Sequence, residues 1–161
     1  MSIAEPTSLW FDALRAEGID TLVPRPALTK NARFDVCIVG AGLTGLWTAY
    51  YLAKADPALS IAVLEKEIAG YGASGRNGGW CSALFPSSAA SLARTHGHDA
   101  AVAMRQEMVN TVDEVRRVVT AEQIECDFAT GGTITFARSA PQLESARAPE
   151  WERMRRTGND K

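Results

Sequence analysis

Three glycines, Gly40, Gly42 and Gly45, form GxGxxG within the run GAGLTG, and about twenty residues further on an acid, Glu65, follows an apolar run. Each position answers a separate requirement of binding a dinucleotide. The first glycine permits a tight turn, the second lets a pyrophosphate approach the backbone, and the third lets a helix pack closely on a strand. Free N–H groups and the positive end of the helix dipole would then face the phosphates. Glu65 would accept hydrogen bonds from the adenosine ribose hydroxyls. An acid there disfavours a 2′-phosphate, so NADP is the least comfortable ligand.

A second constellation follows in GYGASGRNGGW, Gly70 to Trp80, with five glycines in eleven positions. Glycine is costly to order, so this density implies sharp turns or a ligand lying against the main chain. Ser74 and Asn77 supply side-chain hydrogen bonds, while Gly78 and Gly79 leave the backbone bare enough for a flat ring system to press on it. Arg76 would bind a phosphate or a substrate carboxylate, or neutralise a nearby acid, and the residue types leave these alternatives open.

The elements needed to position these residues are legible around them. FDVCIVG, Phe34 to Gly40, reads as a strand buried on both faces of a parallel sheet, with Cys37 as a small buried hydrophobe. AGLTGLWTAYYLAKAD reads as a helix stopped by Asp56-Pro57, and SIAVLEK as a second strand, completing a β-α-β unit. Upstream, residues 1–30 carry a short aromatic helical patch, SLWFDALRAEG, and then VPRPALT, and read as an N-terminal arm lying on something larger. Downstream, residues 31–97 form the nucleotide-binding unit and 98–161 begin another. In the latter, the spacing of Ala101, Met104, Met108, Val112, Val115 and Val119 predicts the longest amphipathic helix, with that stripe in the core. A strand over Thr133 to Ala137 and a helix after Pro141, with Trp151 and Met154 on its apolar side, complete the chain.

Composition narrows the partners. With 161 residues, 46% hydrophobic and 22% charged, the chain has the make-up of globular material. A formal net charge of -2 offers no basic surplus for nucleic acid. No apolar run is long enough for a signal peptide or a membrane span, so a cytoplasmic location is expected. The three cysteines, Cys37, Cys81 and Cys126, form no CxxC. Cys81 reads as a plain buried cysteine rather than a reactive thiol, and His96 with His98 as a loop and helix cap rather than a metal chelate.

Taken with their order and spacing, VGAGLTGLWTAYYLA, VLEKE, GASGRNGG and ECDFATGGTITFA make the chain resemble the D-amino-acid oxidase superfamily of flavoproteins, in the branch of γ-glutamylputrescine oxidoreductase and glycine oxidase. The resemblance covers roughly residues 9 to 140. It implies an α/β fold with a Rossmann-like FAD-binding β-α-β unit, incomplete here, followed by a long helix and the start of a substrate-domain sheet. It implies FAD held by Gly40, Gly42, Thr44, Gly45, Glu65, Lys66, Ser74, Arg76, Asn77, Gly78 and Gly79, with Trp80 near the flavin. The implied chemistry is oxidation of the C–N bond of an amine or amino acid by hydride transfer to the flavin, with no catalytic acid or base singled out. Family members are more than twice as long, so the chain reads as an N-terminal fragment whose partner is the missing C-terminal half and which has little or no turnover alone.

Two other functions remain open at this level. An NAD-dependent dehydrogenase would require a third parallel strand soon after Glu65, and Gly70 to Pro86 offers none. A non-catalytic dinucleotide-binding or assembly module would use the exposed sheet edge to dock a partner chain.

Overall fold

The computed structural model describes residues 8–132, 134 and 136–147. The chain divides into two compact units, the first ending at Gly79 and the second beginning at Trp80.

In the first unit the element order is α1 (Leu9–Ala16), β1 (Val36–Val39), α2 (Leu43–Ala55) and β2 (Ile61–Leu64), followed by a single 3-10 turn at Ala73–Gly75. Helix α1 starts where Ser8 can cap it: the Ser8 hydroxyl accepts from the Phe11 N–H at 3.2 Å. Strands β1 and β2 pair in parallel, Val36 opposite Ile61 through Val39 opposite Leu64, with α2 as the crossover. The register is fastened at its start by Asp35 and Ser60. The Asp35 carboxylate accepts from the Ser60 hydroxyl at 2.6 Å and the Ser60 N–H at 2.9 Å, and the Asp35 N–H donates to the Ser60 carbonyl at 3.0 Å. Helix α2 ends at Asp56, ahead of Pro57, whose ring cannot continue it.

The parallel β-α-β unit is therefore present, but its strands are not covered. Along β1 half-buried and exposed residues alternate, Val39 is 86% exposed, and Phe34 and Leu64 are exposed as well. The prediction of a strand buried on both faces fails here because the sheet holds two strands among the described residues, with one crossover helix to shield them. Cys37 is exposed for the same reason, and Cys81, in irregular chain at the start of the second unit, is exposed too, so neither is the buried cysteine its neighbours suggest. The tightest packing of this unit lies beside the glycine loop instead, where Phe11 and Ala41 are its buried apolar residues.

In the second unit α3 (Ala89–His96) and α4 (His98–Ala121) are joined at Gly97, whose φ of +89° is open to glycine and strained for other residues. Helix α3 has no counterpart in the sequence prediction; its start is marked by Ser88, whose hydroxyl accepts from the Ser91 N–H at 3.1 Å. The long helix α4 is as predicted, with Ala101 buried and Met108, Val112, Val115 and Val119 half-buried. Val118 is the second buried position, and Met104, predicted in the core, is exposed. Helix α5 (Ala140–Arg147) follows, with Pro141 in its first turn, where a missing N–H costs nothing. The predicted strand over Thr133 to Ala137 lies partly outside the described residues, and its described positions, Ile134, Phe136 and Ala137, are not in a ladder. Trp151 and Met154 also lie outside the described residues.

Candidate functional site

The turn between β1 and α2 is held from three sides. Gly40 has φ +99° and donates its N–H to the Leu64 carbonyl at 2.7 Å. The Ala41 N–H donates to Glu65 Oε2 at 2.8 Å, and the Ala41 carbonyl accepts from the Gly70 N–H at 2.9 Å. Gly42 is the extended residue before α2 and has no side chain to cap it. The cap comes from the glycine loop: Ser74 Oγ accepts from the Leu43 N–H at 2.9 Å, and a Cβ on Gly42 would stand 2.9 Å from that same oxygen. A Cβ on Gly45 would overlap the Gly40 carbonyl oxygen and lie 3.3 Å from Ile38 Cγ2. Gly45 thus permits the close strand-to-helix contact that the motif predicts. Among the described residues, the N–H groups of Gly42, Thr44 and Gly45 have no acceptor within the chain. They form a donor cluster at the positive end of a 13-residue helix.

Glu65 closes this turn from the end of β2. One carboxylate oxygen is engaged by Ala41, and the other accepts from the Glu67 N–H at 3.1 Å. These two donors, Ala41 first, hold its carboxyl below the ordinary value. Lys66 points into solvent, its side chain 88% exposed, with its ammonium 3.4 Å from Glu67 Oε1. The second Glu67 oxygen, Oε2, is buried and has no partner.

The loop after β2 is largely self-bonded. The Gly75 N–H donates to the Gly70 carbonyl at 2.8 Å, closing the bend. The Arg76 guanidinium donates to the Tyr71 carbonyl at 2.8 and 3.1 Å and to the Gly72 carbonyl at 3.3 Å, with its carbon 5.3 Å from the centre of the Tyr71 ring. Asn77 bridges its neighbours, donating to the Ser74 carbonyl at 2.6 Å and accepting from the Gly79 N–H at 2.7 Å. A Cβ on Gly78 would meet no atom within 4 Å, so its face is open. The corresponding face of Gly79, at φ +73°, is covered by the Trp10 indole, 2.8 and 2.9 Å from where a Cβ would be.

Gly40, Gly42, Gly45, Glu65 and Ser74 therefore meet at one end of the sheet, and Thr44 adds its N–H there. Asn77, Gly78 and Gly79 continue from Ser74 as an ordered strip. Arg76 is turned onto its own loop, and Lys66 stands apart. Two residues that motif reasoning passes over are Trp10 and Phe11 of α1, which seat against Gly79 and Gly75. The signal available for them is an aromatic pair beginning two residues after a capping serine, in the first turn of a helical patch.

These residues fit the phosphate end of a dinucleotide on observations of this chain: unpartnered N–H donors, glycine faces that a Cβ would block, and a carboxylate at the adjoining strand end. The match to a family model decides which kind: residues 35–160 match the model of FAD dependent oxidoreductases. The chain belongs to that family. FAD is the family's cofactor, and its members are oxidoreductases. Over 153 residues the chain is 31% identical to γ-glutamylputrescine oxidoreductase of Escherichia coli (strain K12), covering 94% of this chain and 34% of that protein. It is 57% identical over 44 residues to sarcosine oxidase subunit beta of Rhizobium meliloti (strain 1021), covering 27% of this chain and 11% of that protein. It is 49% identical over 57 residues to thiamine thiazole synthase of Aspergillus oryzae (strain ATCC 42149 / RIB 40), covering 35% of this chain and 17% of that protein. The chain spans at most about a third of the length of these curated relatives. No solved structure matches it. No described helix is long and apolar enough to cross a membrane.

Proposed function

We propose that the chain is the nucleotide-binding part of a flavoenzyme that oxidises the C–N bond of an amine or amino acid. The observation that carries the binding half of this reading is the cluster of free N–H groups at Gly42, Thr44 and Gly45, flanked by Glu65 and capped by Ser74. The pyrophosphate of FAD would lie on those donors, and Glu65 would take the adenosine ribose. Asn77, Gly78 and Gly79 would lie further along the cofactor, with the open face of Gly78 toward it, and Thr44 would contribute through its N–H. Lys66 and Arg76 complete the contact set, Arg76 by exchanging its loop carbonyls for a phosphate oxygen. Residues 31–97 would be the cofactor unit, with 1–30 as an arm and 98–161 as the start of the substrate-binding part.

The amine half of the reading rests on the relatives. γ-Glutamylputrescine and sarcosine, named in two of them, are both amines. The likeness to thiamine thiazole synthase over 57 residues supports a segment that holds the cofactor without choosing the reaction. FAD, when bound, supplies the two-electron acceptor; these residues hold and orient it, and substrate-selecting groups lie in the remaining length found in the relatives. A C-terminal half would be the partner that completes the enzyme, a reading supported by the chain's spanning 34% of γ-glutamylputrescine oxidoreductase. A cytoplasmic location belongs to the same reading and is suited by three free, exposed thiols.

The test is purification with FAD. Bound flavin gives a visible band at about 450 nm, characteristic of the cofactor and absent from nicotinamides. Anaerobic addition of γ-glutamylputrescine or sarcosine to the chain joined to its C-terminal half should bleach that band. A colourless protein that titrates with NAD instead would overturn the cofactor assignment. Bound flavin that no amine reduces would overturn the substrate class.

A further inference from the structure

Helix α1 sits against the glycine loop through two aromatic side chains. Phe11 is 3% exposed, with its Cζ 2.5 Å from where a Cβ on Gly75 would be. Trp10 donates its indole N–H to the Asn77 carbonyl at 2.8 Å, and its ring covers the Gly79 face. The contact spans 67 residues of sequence, so chain connectivity does not impose it. A Cβ at Gly75 would meet the Phe11 ring and the Gly70 carbonyl oxygen, and one at Gly79, whose φ of +73° already favours glycine, would meet the Trp10 ring, whereas Gly78 between them has open space. Between Gly75 and Gly79 the loop is thus held at both ends and bare at Gly78.

We infer that Trp10 is a positioning residue for the cofactor, fixing the Asn77–Gly79 backbone so that Gly78 presents an open face to the flavin end of FAD. This rests on the FAD reading above. The near end of the loop, Ser74, is anchored independently to Leu43 at the start of α2, so the phosphate and adenosine contacts do not depend on Trp10. Asn77 contributes through both ends: its amide ties back to Ser74, and its carbonyl is the Trp10 acceptor. Trp10 therefore acts directly on the far end, while Ser74 keeps its own anchor at Leu43. Phe11, which carries the burial, keeps α1 docked when Trp10 is altered.

The separation of the two ends supplies the experiment. In the full chain, Trp10→Phe keeps a ring on Gly79 and removes the N–H donor, and Trp10→Ala removes both. FAD and ADP dissociation constants are measured for each variant by titration, with apo-protein melting followed alongside. ADP occupies only the α2 and Glu65 end. FAD affinity should fall about three- to tenfold for Trp10→Phe, the worth of one net hydrogen bond, and further for Trp10→Ala. ADP affinity should stay within about twofold. Unchanged FAD affinity in Trp10→Ala, or equal losses for FAD and ADP, would overturn the inference, the second outcome being that of general destabilisation. If the unsubstituted chain binds ADP but not FAD, the FAD reading fails and the inference fails with it. FAD binding lost selectively only in the variants supports both.

Discussion

Placing a methyl group at Gly45 sets two opposed effects against each other. Position 45 lies inside α2, where alanine is the better helix former by about 1 kcal/mol. The new Cβ, however, would overlap the Gly40 carbonyl oxygen and press on Ile38 Cγ2 at 3.3 Å. That carbonyl is main chain in a turn fastened by the Gly40 N–H to Leu64 at 2.7 Å, so it cannot swing aside as a side chain would. Overpacking costs about 1–3 kcal/mol, and overlap with backbone belongs at the upper end of that range, leaving Gly45→Ala less stable by about 1–2 kcal/mol. For a chain of this size that is a fall in melting temperature of about 3–6 °C. Gly78→Ala is the control, since its Cβ would meet nothing within 4 Å and its φ is not positive. Its stability should stay within about 0.5 kcal/mol of the parent, while FAD affinity drops. Thermal melting of the apo-proteins and flavin titration separate the two. Gly45→Ala melting at or above the parent would refute close strand-to-helix packing as the reason for that glycine, and Gly78→Ala binding FAD as tightly as the parent would refute cofactor approach at that face.

Ser74→Ala removes the acceptor for the Leu43 N–H; the loss of a helix cap should cost about 1 kcal/mol and be visible as a lower melting temperature. Glu65→Gln leaves only one carbonyl oxygen for two N–H donors, so the βα turn should loosen and FAD affinity should fall in a titration. The Glu65 carboxyl is held below its ordinary 4.5, so its stabilisation is complete above about pH 4.5 and is lost as pH falls through the lowered folded value. Melting curves from about pH 6 down to pH 3 should show that slope in the parent and less of it in Glu65→Gln. Asp35 is lowered from 3.8, chiefly by the Ser60 hydroxyl and then the Ser60 N–H. Its contribution is likewise present above that value and lost as pH falls through its lowered folded value, so Asp35→Asn should also reduce the slope of the acid limb.

The β-α-β turn and the acid that closes it were legible because their requirements are local. GxGxxG between an apolar run and a helix, with Glu65 at the next strand end, is fixed by the length of one β-α-β crossover, and the structure keeps that register from Val36–Ile61 to Val39–Leu64. The long helix α4 was legible for a similar reason, its period showing over 24 residues. Helix α3 was not, because its eight residues make little more than two turns, too few for a period to repeat. Burial along β1 was misread because a continuous apolar run describes what a strand is made to face, whereas exposure depends on what covers it.

What the sequence determined by itself, then, was the glycine turn between strand and helix, the acid at the end of the next strand and, through the order of several short motifs, the family, since each motif is carried by residues close together along the chain. Tertiary structure alone decided that Arg76 folds onto Tyr71 and Gly72, that Ser74 caps a helix 31 residues away, and that Trp10 and Phe11 fill the spaces left by Gly79 and Gly75. Those contacts join segments too distant for any local pattern to encode. A glycine reads the same in sequence whether its missing side chain makes room for a ligand or for the chain's own ring.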